Sequence, residues 1–153
     1  MKVQKNINIQ NKKARFEFEI LDKFVAGIQL TGTEIKSIRL SQARITESFC
    51  EFNERGELFI VNMYIQEYLF GHHFNHKPKS ERRLLLNKRE LRSLRKDVEA
   101  KGNTIVPLRL FINDNGFAKL EIALAKGKQT HDKREVIKDR DNKRDLARIK
   151  KNF

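Results

Sequence analysis

From Arg15 the chain alternates: Phe16, Phe18 and Ile20 fall on one phase, Glu17 and Glu19 on the other. That period of two predicts a half-buried strand, continuing through Phe24 to Ile28 past a bend at Gly27. Thr31-Gly-Thr-Glu34 has the capping-box pattern and opens a short helix with Ile35 and Ile38 facing inward. Phe49-Cys-Glu-Phe52, the turn Asn53-Glu-Arg-Gly56 and Leu58–Val61 predict a hairpin, and Met63–Phe70 extends the sheet. A second capping box, Asn87-Lys-Arg-Glu90, precedes Leu91, Leu94 and Val98 at helical spacing, with Gly102 where a C-cap belongs. In the last hairpin Val106, Leu108, Leu110 and Ile112 alternate into Asp114-Asn-Gly116, and Ala118, Leu120, Ile122 and Leu124 alternate out of it. Asn-Gly between two such runs is a strong turn signal.

About six antiparallel strands, two short helices and no βαβ rhythm predict a mainly β fold. A small closed barrel of the oligonucleotide-binding kind satisfies that pattern. Periodicity by itself does not separate it from a small sandwich.

Both ends differ from this body. Residues 1–10 are polar and aperiodic and read as a flexible basic N-terminus, residues 11–126 as the barrel, and residues 127–153 as a basic C-terminal tail. Within residues 128–151 the apolar side chains are Val136, Ile137, Leu146, Ala147 and Ile149. These are too few to dock on a core, so the tail is expected to be disordered, or helical only on a charged partner.

Charge sharpens the picture once it is located. The net charge is +13. Residues 1–15 contribute five basic side chains and no acid, residues 126–153 eleven basic against five acidic, and the body between is almost balanced. Positive charge gathered at the ends of a neutral body points to a polyanion. Neither end has the broad apolar face with aromatic anchors that a membrane surface would require. No run of 18 apolar residues occurs and the first residues lack the apolar stretch of a signal peptide, so a cytoplasmic protein is expected. The single cysteine, Cys50, suits a reducing compartment and reads as a small core residue beside Phe49 and Phe52.

Candidate chemistry is sparse. His72, His73 and His76 form the only metal-like cluster, but no Cys or carboxylate joins them at usual ligand spacing, and a polar loop without metal is the expectation. No phosphate loop, nucleophile elbow or metalloprotease pattern is present, so neither catalysis nor a cofactor or small-molecule substrate is expected. Residues 77–96 carry nine Lys or Arg, interrupted by Leu84, Leu85 and Leu86, which read as core. Lys119 lies on the outward phase of the last hairpin, between Ala118 and Leu120, where a backbone phosphate could sit. Ala125-Lys-Gly-Lys128 then leads from barrel to tail.

Five stretches together resemble one bacterial family, the SsrA-binding proteins or small protein B. They are Asn11-Lys-Lys-Ala-Arg15, Ala26-Gly-Ile-Gln-Leu-Thr-Gly-Thr-Glu-Ile-Lys-Ser-Ile-Arg39, Arg83-Leu-Leu-Leu-Asn-Lys-Arg-Glu-Leu91, Ala125-Lys-Gly-Lys128 and His131-Asp-Lys-Arg134, in the family's order. The resemblance implies binding to the tRNA-like part of transfer-messenger RNA and its delivery to ribosomes stalled without a stop codon. It also implies that the tail enters the decoding centre and the empty mRNA channel. Carried over by position, Asn11, Leu85 and Lys119 fall where the family contacts the RNA or supports that contact, with Lys12, Lys13, Lys126 and Lys128 beside them. His131, Asp132, Lys133 and Arg134, followed by Lys138 and Arg140, fall where the tail meets the ribosome. Two positions depart from the pattern: Val25 stands where the family often has an acid, and Gln129 where some members have lysine. Two rival readings are a ribosome-associated assembly protein and an RNA-processing enzyme using the histidine loop.

Overall fold

The computed structural model describes residues 6–71 and 73–127. In chain order the elements are β1 (Asn8–Gln10), α1 (Lys12–Glu17), β2 (Phe18–Ile28), α2 (Gly32–Arg39), β3 (Ala43–Arg44), β4 (Phe49–Phe52), β5 (Leu58–Val61), β6 (Tyr64–Ile65), β7 (Arg82–Leu85), α3 (Lys88–Lys101), β8 (Thr104–Ile112) and β9 (Ala118–Gly127).

Strands β8, β4, β5, β7, β2 and β9 pair in that order, all antiparallel, and β9 pairs back onto β8. The expected six-stranded closed antiparallel barrel is therefore present. Closure pairs most of the edge that an open sheet of this size would expose and leaves the later part of β8 to β1. Ile60, Leu84, Ile105, Leu110, Leu120 and Ile122 fill the interior and are at most 2% exposed. Both capping boxes form as their sequences require: Thr31 with Glu34 opens α2, and Asn87 with Glu90 opens α3. Gly102 ends α3 in the left-handed conformation at φ 64°, where a side chain would be strained.

Four local expectations are corrected. Residues 15–17, read as the start of the first strand, are the last turn of α1. Asn11 caps α1 by accepting from the Ala14 amide at 3.1 Å. Six helical residues do not hold a helix by themselves. Ala14 holds this one by packing on Val106, Leu108, Ala123 and Ala125, a second apolar cluster on the outside of the barrel. Second, residues 8–10, read as flexible, pair as β1 on β8, and Ile7 is buried. Third, β2 keeps its pairing register through Gly27, and its irregularity lies between Ile20 and Asp22. Fourth, Met63–Phe70 does not join the barrel. Only Tyr64–Ile65 is strand, paired with Ala43–Arg44 as a two-stranded annex, and the sixth stave is β7.

Cys50 is buried on β4, and burial pushes its thiol well above the usual range, as expected for a core residue. No helix among the described residues is long and apolar enough to cross a membrane.

Candidate RNA interface

The register of four strands builds one row across the outside of the barrel. Leu85 lies opposite Gly27, Gly27 opposite Lys119, and Lys119 opposite Phe111. β1 extends the row with Asn8 opposite Phe111. Ala118 and Leu120 point into the core, which sends Lys119 outward as its phase requires. Lys119 pairs with no carboxylate among the described residues, whereas Glu121, two residues on, is held by Arg15 at 3.6 Å and Arg109 at 3.4 Å.

Gly27 keeps the row low. A Cβ there would stand 3.4 Å from the Leu85 Cβ and 3.7 Å from the Lys119 Nζ, so the missing side chain leaves both reachable from outside. Beside the row lies an open cleft lined by Leu30, Ile35, Arg39, Leu85, Phe117 and Lys119. Leu85 is 50% exposed and Phe117 65%. An ammonium with no carboxylate partner among the described residues, over exposed apolar side chains, suits a phosphate together with the sugar and base face beside it.

The core expectation for Leu85 is thus corrected, since only Leu84 of the three leucines is buried; the placing of Leu85 at the RNA came from the resemblance and is a separate expectation. β7 presents Arg82 and Leu84 inward and Arg83 and Leu85 outward, the reverse of what composition suggests for the first and last of these. The buried Arg82 is fully used. Its guanidinium donates to the Glu34 carboxylate, to Met63 O at 2.6 Å, and to Lys77 O and Pro78 O at 3.2 and 3.0 Å. Glu34 in turn accepts from the Thr31 amide at 2.9 Å. This charge-assisted network ties together α2, the approach to β7 and the β5–β6 corner.

The Asn11 side chain is spent within the fold. It is 3% exposed, and its amide donates to Pro107 O at 3.0 Å while its oxygen caps α1. It can position α1 but has little left for a partner. Lys13 on α1 is engaged by Glu47 and lies 3.9 Å from Glu17, and the Glu47 carboxylate raises its pKa. Lys12 and Lys126 are exposed. Lys128, His131, Asp132, Lys133, Arg134, Lys138 and Arg140 lie outside the described residues. Sequence reasoning did not single out Phe117 or Arg39. For Phe117 a signal existed, since it shares the outward phase of Lys119 two residues before it.

The histidine loop supplies no preformed metal site from its described members. His76 is buried, with Nε2 3.0 Å from Ile65 O and Nδ1 2.9 Å from Thr33 Oγ1. A carbonyl only accepts, so Nε2 carries a proton, and in the neutral ring Nδ1 accepts from the Thr33 hydroxyl. Both ring nitrogens are occupied. His72 lies outside the described residues. Elemental analysis of purified protein is expected to find no stoichiometric zinc; one tightly held zinc per chain would overturn this reading.

A closed antiparallel barrel of six strands, with Lys119 and exposed apolar side chains on its outer wall, belongs to the class of small antiparallel barrels. Within that class, residues 8–152 match the SmpB protein family model. The chain is 69% identical over 149 residues to the SsrA-binding protein of Flavobacterium psychrophilum, covering 97% of this chain and 99% of that one. It is 53% identical to the SsrA-binding protein of Brucella anthropi, covering 95% and 91%. A solved chain from "tmRNA-SmpB: a journey to the center of the bacterial ribosome" shares 43% identity with a TM-score of 0.68, covering 86% of this chain and 94% of that one. The chain belongs to the SsrA-binding protein (SmpB) family.

Proposed function

We propose that this protein is the RNA-binding adaptor of trans-translation: it binds the tRNA-like part of transfer-messenger RNA and brings it to stalled ribosomes. Family membership over nearly the whole chain carries this reading. The Leu85–Gly27–Lys119 row supplies a physical basis for its RNA-binding half. A folded RNA is gripped through its phosphates and shape more than through base edges. One unpaired lysine on an apolar strip meets that requirement. The chain acts without catalysis of its own, in the cytoplasm where ribosomes work. The basic residues 127–153, with His131 near their start, are assigned to the decoding centre and empty mRNA channel. Their dense positive charge and scarce apolar side chains suit an RNA-lined passage.

The test is Lys119→Ala. Affinity for the tRNA-like RNA should fall, and the slope of log K against log salt should drop by about one phosphate contact. Melting should barely change, since the side chain points out of the barrel. An unchanged affinity across the salt titration would reduce Lys119 to a solvated strand residue.

A further inference from the structure

A second row of side chains runs beside the first on the outer wall. Val25 lies opposite Glu121, Glu121 opposite Arg109, and Arg109 opposite Gln10. Glu121 follows Lys119 by two residues on β9, so the rows stand about 7 Å apart along the strand. An irregularity in β8 makes this row possible. Pro107 pairs with Ile122 and Arg109 with Glu121, which leaves Leu108 as an extra residue on β8. Leu108 turns outward to the cluster under α1, while Leu110 turns into the barrel. Strict alternation from Leu108 would have sent Arg109 inside. The bulge instead re-aims Arg109 and Phe111 to the outer wall beside Lys119.

The Glu121 carboxylate is shared between two arginines. Its Oε1 lies 3.6 Å from Nη2 of Arg15, in the last turn of α1, and its Oε2 accepts from Arg109 Nε at 3.4 Å. The carboxylate is largely covered, its side chain 16% exposed, while those of Arg15 and Arg109 are 42% and 35% exposed. Arg109 is held a second time, with its guanidinium 4.1 Å from the centroid of the Phe111 ring, where the ring face attracts a cation. Among the described residues Nε alone of the Arg109 nitrogens has an acceptor, so both Nη groups are left for a ligand. Two fixed guanidinium groups over one covered carboxylate leave a positive face next to Lys119.

We infer that Glu121 is a positioning residue for RNA binding: it aims Arg15 and Arg109 at the phosphate next to the one that Lys119 takes. The inference rests on the proposed function and deepens the same site. A bare carboxylate in a phosphate-binding wall would repel the RNA. Covered by two guanidinium groups, it acts the other way. A long side chain loses entropy when a partner fixes it, and a tie already made in the free protein lowers that cost. The planar fork of arginine keeps its outer donors directed at the ligand while Nε is engaged.

The test is Glu121→Gln in the full-length chain, read by gel-shift affinity for the tRNA-like RNA across a salt titration and by melting. Glutamine keeps the size and removes the charge. Affinity should fall at least about fivefold, the lower edge of the cost of ordering two long side chains on binding, even though the variant is the more positive protein. Melting should change little, because both partners are exposed. Arg15→Ala combined with Arg109→Ala should lower the slope of log K against log salt by about one phosphate contact. In that double background Glu121→Gln should reverse its effect and strengthen binding, since a carboxylate without its arginines only repels phosphate. A rise or no change in affinity for Glu121→Gln alone would show that the carboxylate aims nothing. A fall in both backgrounds would make it a structural residue, and an unchanged slope for the arginine pair would put the row outside the RNA footprint. Any of these results, with normal binding by the wild type, sinks this inference alone. A wild-type chain without affinity for the tRNA-like RNA would overturn the proposed function, and this inference with it.

Discussion

Replacing Arg82 with methionine is expected to destabilise the protein by about 3–5 kcal/mol, the cost of leaving a buried charge without its partner. For a domain of this size that lowers the melting temperature by roughly 10–20 °C. Arg82 is 3% exposed and Glu34 4%. Without the guanidinium, the Glu34 carboxylate stays buried and keeps only the Thr31 amide as a donor. The carbonyls of Met63, Lys77 and Pro78 lose their donor as well. Methionine fills most of the volume, so a cavity contributes little. The double variant Arg82→Met, Glu34→Gln should recover a large part of the loss, because glutamine removes the charge and can still accept from Thr31. Thermal melts of the wild type, both single variants and the double variant form the cycle that isolates the pair. Melting of the Arg82 variant within a degree or two of wild type would show that water reaches Glu34 and that the network is not a structural tie. Leu85 is three residues along the same strand, so a loosened β7 should also weaken RNA binding even in variants that remain folded.

The second large effect is functional. A chain ending at Lys126 should fold, bind the tRNA-like RNA nearly as tightly as the full chain at moderate salt, and fail to rescue stalled ribosomes. Every buried core residue from Ile7 to Ala125 is retained, and among the described residues the only strand pairing lost is that of Gly127 with Phe18. The cut removes ten basic and five acidic side chains, so some long-range attraction to RNA should go, chiefly at low salt. What should vanish is the step after delivery, since an empty channel can be recognised only by a segment that enters it. His131→Ala in the full chain should impair the same step and leave RNA binding intact, because it removes one ring able to stack or hydrogen-bond and no charge from a neutral imidazole. A gel shift and a peptidyl-transfer assay on ribosomes stalled on truncated message read the two halves separately. Normal rescue by the shortened chain would make the tail a solubilising extension. Outright loss of RNA binding at moderate salt would place the tail in the RNA site.

The two predictions divide along the same line as the sequence reading. Arg82 was counted among nine basic residues of a charged stretch, with no sign that it alone is buried. Its partner Glu34 lies 48 positions away, and the carbonyl of Met63 19 positions away; no local pattern announces such a meeting. Lys119, in contrast, was legible because a strand's side chains alternate strictly, and Ala118 and Leu120 fix its direction.

The sequence by itself determined the elements whose causes are local. Both capping boxes, the glycine C-cap after α3, the β4–β5 hairpin and the β8–β9 hairpin follow from residues within a few positions of one another. Only the tertiary structure decided the remainder. α1 exists because Ala14 finds a floor of alanines from β9, more than a hundred residues on. β1 exists because β8 has an edge free beyond its pairing with β4. β7 took the place expected of Met63–Phe70 with its chemistry inverted, a charge inside and a leucine outside. That inversion pays twice: Arg82 ties the loops together from within, and Leu85 joins Gly27 and Lys119 on the outer wall. An isolated strand with Arg82 inside would not be stable, because burying a guanidinium is favourable only where the assembled fold brings a carboxylate and three carbonyls to meet it.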